Sequence, residues 1–117
     1  MSRFPTNSFP AYHAHVYFDA QSIDAATGLV QAAGKAFGAA VEVGRIHCKP
    51  VGPHPDWSCQ LAFEAEHFDE IVPWLAQHRA GLNILVHGLT GDDWRDHTEH
   101  AAWLGEERPL KLEILTR

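Results

Sequence analysis

Cysteine is scarce in this 117-residue chain: Cys48 and Cys59 form no CxxC pair and no disulfide framework. Each falls in an expected strand, which reads as two buried reduced thiols. No apolar run is long enough to span a bilayer and no N-terminal leader is evident, so a cytoplasmic protein without a membrane partner is expected. There is no internal repeat and no low-complexity segment, which excludes solenoids and arrays. Basic residues are few: nine Lys and Arg against fifteen Asp and Glu give a formal net charge of −6. That balance excludes nucleic acid or an anionic surface as the main partner. What is abundant is histidine, nine in 117 residues. Histidine is the commonest metal ligand and the side chain best placed to move protons near neutral pH.

Residues 1–117 read as one domain with a core of ordinary size. The stretch Tyr12 to Phe18 alternates strictly, Ala14, Val16 and Phe18 on one side and His13, His15 and Tyr17 on the other. A helix follows with Ile23, Ala26, Val30, Ala33 and Phe37 on one stripe. Val43–Cys48 reads as a second strand, Lys49–Asp56 as a proline-stiffened connection, and Trp57–Glu64 as a third strand with Cys59, Leu61 and Phe63 inward. His67–Ala80 reads as a second helix that Pro73 makes either start late, near Asp69 or Glu70, or kink there, with Gly81 as its stop. Leu82–His87 is a fourth strand with Leu82, Ile84 and Val86 inward. Trp94–Leu104 is expected as a short helix stopped by Gly105, and Leu110, Leu112 and Ile114 as a last edge strand.

This order is α+β: a ferredoxin-like β-α-β-β-α-β antiparallel sheet with both main helices on one face, plus a C-terminal helix and strand. The first and third strands lie in its middle. The outward alternation sends His13, His15, His47 and His87 to the face without helices, and His54 sits in the connection beside it. His13, His47 and His87 are expected at one rim, with His15 about 7 Å further along its strand. Several imidazoles without a thiolate favour Zn, Fe(II), Cu or Ni over Mg or Ca. Asp56, Glu64 and Asp96 are the carboxylates within consideration, and none is an obvious ligand, so an all-histidine triad is expected as readily as a mixed one. His97 or Asp96 on the following helix is placed to close over the site. Arg45 and Tyr17 on the same face are candidate substrate contacts, Arg45 for a carboxylate. An exposed face carrying Leu85 and Tyr17 needs cover, which a homodimer with α+β-barrel-like pairing would supply.

The motifs His13-Ala14-His15-Val16-Tyr17-Phe18, Gly52-Pro53-His54-Pro55, Leu85-Val86-His87 with Thr90-Gly91, and Asp96-His97-Thr98 leading to Trp103-Leu104-Gly105 carry a resemblance. In order and spacing they resemble the DOPA 4,5-dioxygenase family of aromatic ring-cleaving dioxygenases, from Tyr12 to about Gly105. Gly88 stands where that pattern leads one to expect proline. The resemblance implies extradiol cleavage of a small catechol by O2 at Fe(II), with Zn or Ni able to take the same ligands in purified protein. His13, His15, His54 and His87 are the pool for three metal ligands. The backbone spacing argues against His13 and His15 binding together and slightly favours His13. His47 and His97 are expected as acid–base groups. Two other classes fit the same histidines: a metal or aromatic-ligand binding module without turnover, and a cofactor-free monooxygenase of the dimeric α+β-barrel type.

Overall fold

The computed structural model describes residues 4–115. Its strands are β1 (Ala11–Phe18), β2 (Glu42–His47), β3 (Trp57–Glu64), β4 (Ile84–Gly88) and β5 (Ala101–Leu104), in the sheet order β2-β3-β1-β4-β5. All neighbours are antiparallel, and β1 and β3 lie inside as the ferredoxin-like pattern requires. Helices α1 (Ile23–Phe37) and α2 (Phe68–His78) cover one face. Between them and the sheet lie Ala14, Val16, Cys59, Leu61, Phe63, Ile84 and Val86, with Leu29, Val30, Phe68, Ile71 and Leu75 opposite. Each large side chain buried there contributes about 1.5–3 kcal/mol. Register explains the sharp division of faces: Ala14 pairs with Leu61 on one side and Val86 on the other, an apolar row three strands wide. No helix among the described residues is long and apolar enough to cross a membrane.

Pro73 does not hold back α2: the helix starts at Phe68, after a 3-10 turn over Ala65–His67, and carries Pro73 in its interior. The C-terminal third departs from expectation. Instead of a helix over Trp94–Leu104 there is a single turn, α3 (Asp93–Asp96), capped by Asp92. Ala101–Leu104 then pairs with β4, Leu85 opposite Trp103 and Ile84 opposite Leu104. Pairing with an otherwise open strand edge outweighs the helical preference of two alanines. Leu110–Ile114 does not enter the sheet. It crosses the face opposite the helices and ends in a 3-10 turn over Leu112–Ile114.

That crossing supplies a cover. Leu110 packs on a cluster of Tyr17, Leu85 and Trp103, and the Lys111 N–H donates to the Pro53 carbonyl at 2.7 Å. Tyr17, Leu85 and Trp103 are consequently buried within a single chain, so the apolar part of this face does not need a second copy to shield it. Of the two thiols, Cys59 is buried and its pKa is pushed up to about 11 by that burial, while Cys48 is exposed just beyond β2. Gly88 is explained by its neighbour. A Cβ there would overlap the Phe9 ring, and the Gly88 N–H, which proline would lack, donates to the His100 carbonyl at 3.1 Å.

Candidate metal centre

His13 and His87 are direct partners across β1 and β4, and His15 follows two residues on along the same face. Their ring centroids lie 5.4 Å (His13–His87), 5.6 Å (His13–His15) and 5.1 Å (His15–His87) apart. The side chains therefore converge more than the backbone spacing suggested, and one nitrogen from each of the three lies within 4.8 Å of the others. His15, His54 and His97 form a second such group. His15 belongs to both, with its ring 4.1 Å from His54 and 6.4 Å from His97. The cluster is thus centred on His15 rather than on the rim.

Hydrogen bonds fix which nitrogens are available. His87 Nδ1 lies 2.9 Å from the Gly88 carbonyl, which can only accept, so Nδ1 carries the proton and Nε2 keeps its lone pair. His97 is set the same way, its Nδ1–H donating to the Asp93 carbonyl at 2.7 Å. His15 Nε2 sits 3.0 Å from His87 Nε2, and the His87 tautomer makes His15 the donor. Two imidazole nitrogens, each about 2.1 Å from one ion at a near-right angle, stand about 3.0 Å apart. An ion would take the place of the proton that this pair shares. The set is all nitrogen, which suits a borderline transition metal and not Mg or Ca.

Burial keeps these rings neutral. It pulls the His87 pKa down to about 3 and that of His54 to about 4, with the neighbouring His97 and His13 adding to both shifts. His15 is lowered well below its ordinary value by burial and then by His54 and His87. His13, half-buried, is lowered by desolvation and by His97, with Glu42 and Asp96 pulling the other way. Neutral imidazoles are the ligating and proton-accepting form.

Other expected residues fall differently. His47 pairs with Ser58, which pairs with Tyr17, so it stands at the far end of β1 from His13. The reason is direction: β2 and β1 both run antiparallel to β3, so the end of β2 meets the end of β1. Arg45 is exposed in the bulge between Val43 and Ile46. Tyr17 is buried and its hydroxyl meets His54 Nδ1 at 2.7 Å. Asp96 is buried with both oxygens engaged, by Thr90 Oγ1 (2.7 Å), the Thr90 N–H (2.9 Å) and His100 Nδ1 (2.9 Å). Burial alone would raise its pKa, but those hydrogen bonds outweigh it and hold the carboxyl low. Asp96 therefore anchors the turn that presents His97. Asp56 forms a two-pronged pair with Arg108 (2.8 and 3.3 Å), which ties the His54 loop to the C-terminal crossing. No local pattern in the sequence marks Arg108 for this partnership.

Residues 12–114 match the Dopa 4,5-dioxygenase family. A DOPA 4,5-dioxygenase of Amanita muscaria is 37% identical over 109 residues, covering 86% of this chain and 47% of that protein. A 21.2 kDa protein of Botryotinia fuckeliana, uncharacterised by name, is 39% identical over 85 residues, covering 66% of this chain and 46% of its own. The chain spans about half the length of these curated relatives. The crystal structure of a candidate dioxygenase from Nostoc punctiforme superposes with a TM-score of 0.86 at 45% identity, covering 91% of this chain and 90% of that one.

Proposed function

The chain belongs to the Dopa 4,5-dioxygenase family, and from that premise we propose that it is an extradiol-type dioxygenase opening the ring of a small catechol with O2 at histidine-bound Fe(II). The observation that carries this reading is the gathering of five histidine rings on one face, three of them on the paired strands β1 and β4. His13, His15 and His87 are the proposed ligands, because hydrogen-bonded strands hold donors more rigidly than a loop and a helix end do. The bound metal would supply the Lewis-acid and redox chemistry that joins a catechol to O2.

The chain's own residues do the rest. His97 Nε2, bare because Nδ1 is committed to Asp93, accepts a catechol hydroxyl proton. Its ring lies 4.3 Å from His87, close enough to reach a substrate placed beside the ligands. The buried wall of Tyr17, Leu85 and Trp103 excludes water from one side. Arg45, exposed in the β2 bulge, is the proposed contact for a charged substrate tail, while His47, at the far end of β1 from His13, is given no part in the proton transfer. A cytoplasmic homodimer remains the proposed assembly, with pairing through the half-buried His13 rim rather than the Leu85 and Tyr17 cluster that the strap already covers, and a monomeric mass in solution at micromolar concentration would count against it.

The test is anaerobic loading with Fe(II), followed by a panel of catechols with oxygen uptake and ring-opened product recorded together. Stoichiometric uptake with a yellow product is expected. Metal bound without uptake would leave a binding module, and uptake unaffected by metal removal would point to a cofactor-free oxygenase.

A further inference from the structure

We propose that Tyr17 is a positioning residue that holds His54 with its proton on Nε2, making His54 a hydrogen-bond donor within the site rather than a metal ligand. The inference deepens the preceding reading and rests on it only for the identity of the oxygen-bearing ligand that would accept from His54.

Tyr17 is 3% exposed, and among the described residues its hydroxyl has one hydrogen-bond partner, His54 Nδ1 at 2.7 Å. A phenol has one proton to give. If Nδ1–H donated to the phenol oxygen, the phenolic proton would be left buried without an acceptor, at a cost of about 1–3 kcal/mol. If the phenol donates, both groups are satisfied. Neutral His54 then carries its proton on Nε2, and a metal could take that nitrogen only by shifting the proton to Nδ1 and stranding the buried phenolic proton of Tyr17, a cost that His15 does not meet when an ion displaces the proton it shares with His87.

The His54 ring has little freedom to exchange partners. Pro53 and Pro55 flank it, its own N–H donates to the Val51 carbonyl at 3.0 Å, and Pro53 is held by Lys111. His87 and His97 show the opposite wiring, Nδ1–H on a carbonyl and Nε2 bare. The cluster therefore presents two kinds of imidazole: rings that accept or ligate, and one that donates. His54 lies against His15 at 4.1 Å and 6.1 Å from His97, so its Nε2–H can offer a hydrogen bond to an oxygen of a ligand held between them.

The first test is long-range 1H–15N correlation on the metal-free wild-type protein, which separates the two neutral tautomers of each histidine. A protonated Nε2 and bare Nδ1 are expected for His54, and the reverse for His87 and His97; a bare Nε2 on His54 would overturn the proposal. The second is zinc affinity by chelator competition. His54→Ala and His54→Gln should bind zinc within about threefold of wild type, whereas a loss of a hundredfold would make His54 a ligand. In Tyr17→Phe the His54 signals should move toward the Nδ1–H form; unchanged signals would show that Tyr17 does not set it. None of these readouts depends on turnover, so the tautomer can be refuted while ring cleavage stands, and the reverse.

Discussion

The histidine cluster has two unlike halves. His13, His15 and His87 are carried by adjacent hydrogen-bonded strands, while His54 and His97 stand on a proline-stiffened loop and at the end of a one-turn helix. The sheet half inherits its geometry from the core beneath it: moving His15 means moving Val16 and Ala14, which are completely buried. The loop half is held by separate ties, Tyr17 and Arg108 for His54 and Asp96 for His97. Ligation needs several donors fixed at once, whereas proton donation or acceptance needs one group within reach. The division of support matches the division of labour proposed for the two halves.

The sharpest way to break this comparison is His87→Ala. It should abolish metal retention and ring cleavage together, read by metal analysis of dialysed protein and by oxygen uptake; full metal content and activity would place the site elsewhere. On the other half, His97→Ala should keep metal bound and lower turnover by about 10²-fold, the usual scale for a lost proton-transfer group. Loss of metal with His97 would merge the two halves into one ligand set.

The metal-free protein gives a third contrast. Burial lowers the folded pKa values of His15, His54 and His87, the last two to about 4 and about 3. Between those values and about 6.5 the unfolded chain binds more protons than the folded one. Stability should therefore be complete above about pH 6.5 and fall as pH drops, by about 1.4 kcal/mol per pH unit for each such histidine. Urea unfolding at stepped pH checks the slope, and a flat profile from pH 7 to 5 would mean the rings are not buried as neutral groups. The smallest effect belongs to Arg108→Gln, which breaks a half-exposed ion pair. A loss of no more than about 1 kcal/mol is expected, with zinc affinity unchanged. A fall in zinc affinity would make the loop half part of the metal site.

Strand alternation made much of this legible. A period of two is strict, so the sides taken by His13, His15, Tyr17, Leu85 and His87 follow from the sequence without knowledge of the fold. Their neighbours across the sheet do not. Alternation alone puts His47 at the wrong end, because strand direction decides which ends meet. Ala101–Leu104 is too short to show a period, and only the free edge of β4 makes it a strand. Leu110–Ile114 alternates like a strand yet crosses the sheet face as a strap, a choice made by Leu110 meeting Trp103 and by Lys111 meeting Pro53. The Tyr17–His54 bond joins residues 37 positions apart, and no local rule announces it.

The strap also bears on biosynthesis. A nascent chain emerges N-terminus first, and β1 waits for β3 and β4 before its two histidines face His87. Residues 105–114 come later still. The pairings that gather the three strand-borne imidazoles involve no residue of that segment, so they can form before Lys111 and Arg108 pin the His54 loop. The strap lies on Tyr17, Leu85 and Trp103 and not on the half-buried His13, so a metal ion reaching the strand-borne histidines from that rim need neither precede the strap nor displace it.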